Sequence, residues 1–179
     1  MNKAVFLDRD GVINRSHLVD GVAKPPTVIE EVEILGGVIE AIKILKDHDF
    51  IPVVVTNQPD VARGVILESQ VDAINTYIGA CTNLEFFYTC FHDDIDKCDC
   101  RKPAPGLIKR AASDLNLNIS NSYLVGDRWR DIAAGQAAGC QSFFIDYSYP
   151  EEAPKMPFIK VSSLMDAVRI MIGVGDVVK

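Results

Sequence analysis

Two carboxylates stand two residues apart at the end of an apolar run, in the stretch Val5-Phe6-Leu7-Asp8-Arg9-Asp10-Gly11. Residues i and i+2 of a strand point to the same side, so Asp8 and Asp10 can face one pocket beyond a strand end. Two acids held together repel each other, and Mg²⁺, which prefers oxygen ligands, would relieve that repulsion. One carboxylate can then act as a nucleophile and the other as a general acid and base. Taken alone, the pattern fits a polar turn after a strand equally well.

Two further pairs of polar residues carry groups that bind phosphate. Thr56 and Asn57 follow an apolar run and offer a hydroxyl and an amide to phosphate oxygens, although a strand-end turn explains them as well. Lys102 can neutralise a phosphoryl group and position Asp8. Arg101 can hold a second anionic group, bidentately if that group is a phosphate. The alternative for the last pair is two solvated basic residues.

A second acidic pair follows another apolar run, in Gly126-Asp127-Arg128-Trp129-Arg130-Asp131. Asp127 ends the predicted strand and can reach the same cation as the first acids. Asp131 is better placed to support that site from outside. It can equally be an acid that stabilises a helix N-terminus.

Strands and helices alternate along the chain, which predicts an α/β domain with a mostly parallel sheet. Residues 14–32 are expected to form a loop or short hairpin over the site, and residues 151–160 a loop. Ligands bind at the carboxyl edge of such sheets, and all three acidic or polar groups that follow strands converge there. We expect strands over 4–7, 51–55, 85–89, 123–125 and 141–145, and helices over 38–47, 68–79, 105–117, 131–138 and 163–172.

Three cysteines and a histidine lie within eleven residues, as Cys90-x-His92-x₅-Cys98-x-Cys100. Three thiolates and an imidazole can close a tetrahedral site around Zn²⁺. Four protein ligands leave no open position, so we expect a structural zinc that fixes the loop leading into Arg101. The alternative is a loop of free thiols.

Composition narrows the class of protein further. The 179 residues are 48% hydrophobic, which fits a single domain over 1–179 with residues 173–179 as a flexible tail. The net charge of −7 argues against nucleic-acid partners and against docking on an anionic membrane. No apolar run is long enough to span a bilayer, and the N-terminus has no signal-peptide pattern. We therefore expect a cytoplasmic monomer with reduced cysteines.

Four motifs of the chain resemble those of the haloacid dehalogenase (HAD) superfamily of phosphotransferases, and they occur in the order found in that superfamily. The resemblance covers the chain from Asp8 to about Ile145 and implies a Rossmann-like, three-layer α/β fold. Helices and strands fill the segments between the motifs, so no cap domain is expected. The motifs are Asp-Arg-Asp-Gly-Val-Ile-Asn from Asp8, Thr-Asn-Gln from Thr56, Cys-Arg-Lys-Pro from Cys100, and Gly-Asp-Arg-x-x-Asp from Gly126.

The resemblance implies a role for each matched residue. Asp8 would be phosphorylated and would also bind Mg²⁺. Asp10 would protonate the leaving oxygen, later activate water, and lend its backbone carbonyl to Mg²⁺. Asp127 would be the other carboxylate ligand of Mg²⁺. Thr56 and Lys102 would hold the phosphoryl group, which makes the chain a phosphomonoester hydrolase.

The zinc loop resembles the branch of this superfamily that contains heptose 1,7-bisphosphate phosphatases and histidinol-phosphate phosphatases. Asn14 and the segment 61–64 are more similar to the heptose enzymes, which implies a sugar bisphosphate as substrate. Release of the 7-phosphate of D-glycero-D-manno-heptose 1,7-bisphosphate, in nucleotide-heptose synthesis, is the function expected. The chain departs from the family at Pro59, where Ser is usual, and in its short zinc loop. The substrate contacts that the resemblance implies are Ser16, His17, Asn57, Arg101 and Arg128.

Three alternatives stay open at this point. A histidinol-phosphate phosphatase has the same motifs. A phosphatase of nucleic-acid ends is disfavoured by the acidic charge. A non-catalytic interaction module with a zinc-stapled loop is disfavoured because Asp8, Asp10, Lys102 and Asp127 are all present.

Overall fold

The computed structural model describes residues 1–19 and 22–174, and its elements alternate between strand and helix. Three short 3₁₀ helices lie at Ile29–Glu31, Asp94–Asp96 and Ile119–Asn121. The strands are β1 (Lys3–Leu7), β2 (His17–Val19), β3 (Val22–Lys24), β4 (Phe50–Asn57), β5 (Phe86–Cys90), β6 (Tyr123–Gly126), β7 (Gln141–Ile145) and β8 (Ile159–Val161). The helices are α1 (Val38–Asp47), α2 (Glu68–Thr82), α3 (Gly106–Asp114), α4 (Trp129–Ala138) and α5 (Leu164–Met171).

Six parallel strands form one sheet in the order β5-β4-β1-β6-β7-β8. The central strand β1 is apolar at consecutive positions because both of its faces are covered. Val5 and Leu7 pack with α1, α2 and α5 on one side, while Ala4 and Phe6 pack with α3 and α4 on the other. The predicted three-layer α/β fold with a mostly parallel sheet is therefore confirmed.

Most predicted elements are confirmed, and several begin or end at residues other than those predicted, for local reasons. Helix α4 begins at Trp129 rather than Asp131, because the backbone N–H of Arg128 donates to the Asp131 carboxylate at 3.0 Å and caps the first turn. Helix α2 extends to Thr82, beyond its predicted end, and Asn83 caps it in a left-handed conformation. Strand β4 continues through Asn57, so the polar residues after its apolar run still belong to the strand.

The interpretation of residues 151–160 as a loop was wrong at its end. Ile159–Val161 form β8, which pairs in parallel with β7 through Phe143 and Ile159. The strand has only three residues and follows two prolines, Pro154 and Pro157, so the local pattern resembles a loop. Pairing with the edge of the sheet makes this segment a strand, which the local sequence does not show.

Residues 14–32 contain the predicted short hairpin, since β2 and β3 pair antiparallel with His17 opposite Lys24. Over 8–19 and 22–49 the structure shows this hairpin, a 3₁₀ helix and α1, and no inserted cap domain. In the predicted tail, Gly173 and Val174 follow α5, whereas residues 175–179 lie outside the described part of the chain. None of the described helices combines the length and apolarity that crossing a membrane requires.

Candidate active site

Three buried carboxylates meet at the carboxyl edge of the sheet. Asp8 follows β1, Asp127 follows β6, and Asp131 lies in the first turn of α4; their exposed fractions are 8%, 1% and 2%. Each offers an oxygen, and these oxygens lie within 4.8 Å of one another. Gly11 makes this approach possible, because a side chain at that position would overlap the Asp127 carboxylate. Gly11 also has a φ of +91°, in the region that favours glycine.

The carboxylate cluster fits a divalent cation. Both oxygens of Asp127 are buried and find no hydrogen-bond partner within residues 1–19 and 22–174. Burial, with the charges of Asp8 and Asp131 in support, raises the pKa of Asp127 well above its usual range. Burial and the charge of Asp131 likewise raise the pKa of Asp8 to about 7, against the opposing charge of Lys102. Carboxylate oxygens held this close together, with those of Asp127 unpartnered among the described residues, are ligands suited to Mg²⁺.

Lys102 bridges the two sides of the cluster. Its Nζ donates to Asp8 Oδ1 at 2.7 Å and lies 2.6 Å from Asp131 Oδ1. A third contact, at 2.8 Å, is to the carbonyl oxygen of Val55 in β4. Burial lowers the pKa of Lys102, but the charges of Asp131 and Asp8 outweigh burial and leave the pKa raised. Lys102 is therefore a fixed cation beside Asp8, and Asp131 holds it from the other side.

Asn57 positions Lys102 rather than pointing its amide at a ligand. Its Oδ1 accepts from the backbone N–H of Lys102 at 3.1 Å, and its Nδ2 donates to the carbonyl of the same residue at 3.0 Å. Both functional groups of the side chain are thus engaged. Asn57 also lines the cavity, and its predicted contact with substrate stays a prediction.

Asp10 is held by three side chains that surround its carboxylate. Arg9 donates to both oxygens, Asn14 donates to Oδ1 at 2.9 Å, and Gln58 donates to Oδ2 at 2.8 Å. Gln58 also donates to Thr56 Oγ1 at 2.9 Å, and Thr56 is buried. Thr56 thus lies beneath the cavity surface, with its hydroxyl tied to the side chain that orients Asp10.

A cavity of about 290 Å³ opens over this cluster. Ser16 lines it, as predicted, together with Val22 to Pro25 of the hairpin region. His17 is not among the described lining residues, and its ring nitrogen contacts the carbonyl oxygen of Glu31 at 3.1 Å. The predicted contact of His17 with substrate stays a prediction. Six cationic side chains line the cavity: Lys24, Arg63, Arg101, Lys102, Arg128 and Arg130.

Two of these arginines share one carboxylate at the cavity rim. Arg101 Nε lies 2.7 Å and Arg130 Nη1 lies 2.8 Å from Asp94 Oδ1. Burial opposes, but the hydrogen bonds from the two guanidinium groups dominate, and they lower the pKa of Asp94 to about 2. The sequence interpretation missed Arg130, although its place two residues after Arg128, in the first turn of the helix that follows strand β6, could have indicated it. Arg63, also missed, pairs with Asp93 at 2.6 Å.

Arg128 is engaged by a neighbouring segment. Its Nε and Nη2 donate to the carboxylate of Glu151 at 2.5–3.2 Å, and its guanidinium lies near the ring of Tyr149. The side chain still lines the cavity. Arg128 is thus paired on the protein side, as Arg101 and Arg130 are with Asp94, and all three guanidinium groups line the cavity. Arg101 and Arg130 differ from Arg128 in sharing a single carboxylate, which brings two guanidinium groups together.

The four predicted zinc ligands come together. One atom from each of Cys90, His92, Cys98 and Cys100 lies within 4.8 Å of the others, and the sulfur atoms are 3.2–3.8 Å apart. A tetrahedral site with Zn–S bonds of about 2.3 Å places its sulfurs roughly 3.8 Å apart. The donor set and its spacing therefore fit zinc. The backbone N–H of Arg101 donates to Cys98 Sγ at 3.3 Å, so the cluster is joined directly to the cavity.

Comparisons with known proteins agree with the class that the fold and site define, a phosphatase of the HAD type. A family model described as HAD-hydrolase-like matches residues 99–153. A curated relative from Haemophilus ducreyi, named D-glycero-beta-D-manno-heptose-1,7-bisphosphate 7-phosphatase, is 33% identical over 93% of this chain and 96% of its own. A relative of the same name from Escherichia coli K12 is 37% identical over 75% of this chain and 74% of its own.

A solved structure shows the same fold. The D,D-heptose 1.7-bisphosphate phosphatase from B. bronchiseptica, complexed with magnesium and phosphate, superposes with a TM-score of 0.83. The two sequences are 24% identical, and the match covers 96% of this chain and 98% of that one. The identity and coverage of the curated relatives show that the chain belongs to the haloacid dehalogenase superfamily, in the family of phosphatases formed by these relatives, and the shared fold agrees with this.

Proposed function

We propose that the protein hydrolyses a phosphomonoester through an aspartyl-phosphate on Asp8, and that its substrate is D-glycero-D-manno-heptose 1,7-bisphosphate, cleaved at the 7-phosphate. The observation that carries the chemistry is the buried group of Asp8, Lys102 and Asp127 in a cavity that six cationic side chains and six aspartates line. The names of the curated relatives support the substrate and the position cleaved.

In the first half-reaction, a carboxylate oxygen of Asp8 attacks phosphorus. The bond from phosphorus to the sugar oxygen breaks, and that oxygen takes a proton from Asp10. In the second half-reaction, water attacks the phosphoaspartate, gives its proton to Asp10, and releases inorganic phosphate and free Asp8. Lys102, fixed at 2.7 Å from Asp8, balances negative charge in both steps. Asp131 and Asn57 keep Lys102 in place.

The residues that would hold Mg²⁺ are Asp8, Asp127 and the backbone carbonyl of Asp10. The two unpartnered oxygens of Asp127 support this assignment. When bound there, the ion supplies charge that offsets the repulsion between the carboxylates and the incoming phosphoryl group.

The arginines of the cavity favour a bisphosphate over histidinol phosphate. Lys102 serves the reacting phosphoryl group, and Arg101 and Arg130, two guanidinium groups that share one carboxylate, would bind a second phosphate. A guanidinium binds phosphate bidentately, and Asp94 holds these two in adjacent positions. Histidinol phosphate has no second phosphate to match them.

We propose that Cys90, His92, Cys98 and Cys100 bind a structural zinc. Thiolate ligands require reduced cysteines, and all five cysteines of the chain are free thiols. A reducing compartment, the cytoplasm, is accordingly the proposed location. A monomer is proposed with it, and light scattering at working concentration tests that state.

Turnover with and without Mg²⁺ tests the function. We expect Mg²⁺-dependent phosphate release from p-nitrophenyl phosphate and much more efficient release from heptose 1,7-bisphosphate. Histidinol phosphate serves as the matched rival substrate. A higher kcat/KM on histidinol phosphate would replace the proposed substrate, and failure on every phosphomonoester would favour a non-catalytic module.

A further inference from the structure

Arg9, which lies between the two acids of the first motif, is completely buried. Its exposed fraction is 0%, and it is the largest fully buried side chain within residues 1–19 and 22–174. A buried charge is costly unless it is paired and hydrogen-bonded. The partner of Arg9 is Asp10, to which its Nε donates at 3.2 Å (both oxygens) and its Nη2 at 3.0 Å.

Asn75, on helix α2, holds the other end of the guanidinium. Its Oδ1 accepts from Arg9 Nη1 at 2.9 Å, and its Nδ2 donates to Thr89 Oγ1 in β5 at 3.3 Å. Asn75 is itself buried. A continuous chain of hydrogen bonds thus runs from the edge strand, through Asn75 and Arg9, to Asp10.

This chain of side chains lies behind the cavity. Asp10 lines the cavity, whereas Arg9 and Asn75 are not among its described lining residues. Neither residue is therefore in position to touch substrate, and any effect on the reaction has to pass through Asp10. Asn14 and Gln58 each reach one oxygen of Asp10, but Arg9 reaches both. Arg9 consequently fixes the plane of the carboxylate.

We propose that Arg9 and Asn75 are positioning residues for Asp10, which set the orientation of its carboxylate for proton transfer in both half-reactions. This inference rests on the proposed aspartyl-phosphate mechanism. A proton moves efficiently only along a well-aligned hydrogen bond, so a loosened carboxylate slows proton transfer without weakening substrate binding.

The principal test is Arg9→Met, with Arg9→Lys as the conservative variant. Arg110→Met is the matched control, since Arg110 is 75% exposed on α3 and away from the cavity. With heptose 1,7-bisphosphate as substrate, Arg9→Met should lower kcat about 10- to 100-fold, and KM should change by less than about 2-fold. Arg9→Lys should recover part of the loss, because an ammonium can still pair with Asp10. Arg110→Met should match the wild type.

Burst kinetics with p-nitrophenyl phosphate separate positioning from a purely structural role. The nitrophenolate leaves without needing a proton, so Asp8 should still be phosphorylated rapidly in Arg9→Met. Water activation by Asp10 should be slow, which gives a burst of nearly one nitrophenolate per folded chain and then slow turnover. A structural role instead reduces the burst in proportion to the unfolded fraction and leaves the turnover of folded chains unchanged.

Asn75→Leu tests the same chain of hydrogen bonds even if Arg9→Met does not fold. It should lower kcat about 3- to 10-fold, and the double variant with Arg9→Lys should lose little beyond the larger single effect, because both residues act on Asp10. Wild-type kcat in folded Asn75→Leu, or fully additive losses, would overturn the inference. Absence of turnover by the wild type with Mg²⁺ would instead refute the proposed function itself.

Discussion

At the scale of residues, the cluster combines the anion Asp8, its cation Lys102 and the carboxylate of Asp127, whose oxygens make no hydrogen bond of normal geometry within the described residues. The Asp8–Lys102 contact of 2.7 Å keeps a positive charge beside the proposed nucleophile before any phosphate arrives. Asp127 has no partner within the part of the chain that the structure describes, and so retains its oxygens for a cation. The three side chains are therefore prearranged for phosphoryl transfer. Such a site spends less free energy on reorganisation than one that forms only when substrate binds.

Asp8→Asn should abolish turnover and keep the fold. The amide has nearly the shape of the carboxylate but is a far poorer nucleophile, so kcat should fall about 10³-fold or more. Steady-state kinetics with Mg²⁺ and a thermal melt measure the two effects. Asp47→Asn, at an exposed position of α1, is the control. Substantial residual activity in a folded Asp8→Asn would rule out the covalent mechanism.

Arg101→Ala and Arg130→Ala should each reduce kcat/KM on the bisphosphate. A charge-assisted contact to phosphate is worth roughly 1.5–3 kcal/mol, or about 10- to 150-fold. Arg101 and Arg130 both pair with Asp94. When one arginine is removed, the other arginine and Asp94 should rearrange, and part of the loss should come from that rearrangement.

The comparison substrate for both arginine variants is p-nitrophenyl phosphate, which has no second anion and should be affected little. Lys102→Ala should damage turnover of both substrates, since it acts on the transferred group itself. Equal losses on both substrates for Arg101→Ala and Arg130→Ala would show that these residues serve the reacting phosphate, and would remove the physical support for a bisphosphate.

At the scale of elements, the loop that carries the four proposed zinc ligands connects β5 to Lys102. Cys90 ends β5, and Cys98 accepts the backbone N–H of Arg101. Gly106, the first residue of α3, packs so closely on the loop that a side chain there would overlap the Asp99 carbonyl. The position of Arg101 and Lys102 thus depends on the conformation of this loop.

Cys98→Ser should lower both zinc content and stability. Losing one ligand of a structural metal should cost at least about 2 kcal/mol, or roughly 4–8 °C in Tm. Activity should fall with it, because Arg101 and Lys102 lose their support. Elemental analysis and thermal melts measure these effects, and Cys81→Ser on α2 is the control. Protein purified without chelators that contains no zinc would refute the metal site.

The sequence predicted the elements that have strong local patterns and missed those that depend on partners. Helix α1 and strand β7 were predicted with their observed bounds. Strand β8 was missed because its pairing with β7 is not encoded in its own three residues. Likewise, the sequence placed Thr56 and Asn57 near phosphate but did not show their hydrogen bonds. The Gln58 side chain donates to Thr56, and Asn57 bonds to the backbone of Lys102, which is distant in the sequence. The extent of the domain over 1–179 stays a prediction.

At the scale of the whole molecule, a chain of net charge −7 concentrates six cationic side chains around one cavity. Six aspartates line the same cavity, so its lining is close to neutral, whereas the chain as a whole is negative. A small phosphorylated ligand can therefore be held by individually placed cations, while the net negative charge of the chain repels polyanions such as nucleic acid. The described residues include no inserted domain over the cavity, which is lined by the β2–β3 region, the segment after β4, the loop after β5 and the start of α4. These short segments, rather than a mobile domain, have to provide specificity.

The most direct test of the central claim is ³¹P NMR of D-glycero-D-manno-heptose 1,7-bisphosphate incubated with the protein and Mg²⁺. The account predicts loss of the 7-phosphate signal, growth of inorganic phosphate in equal amount, and retention of the 1-phosphate, with no change in the Asp8→Asn sample. No phosphate release by the folded, Mg²⁺-supplied wild type would contradict the account, as would equal loss of both phosphate signals or release that persists in Asp8→Asn.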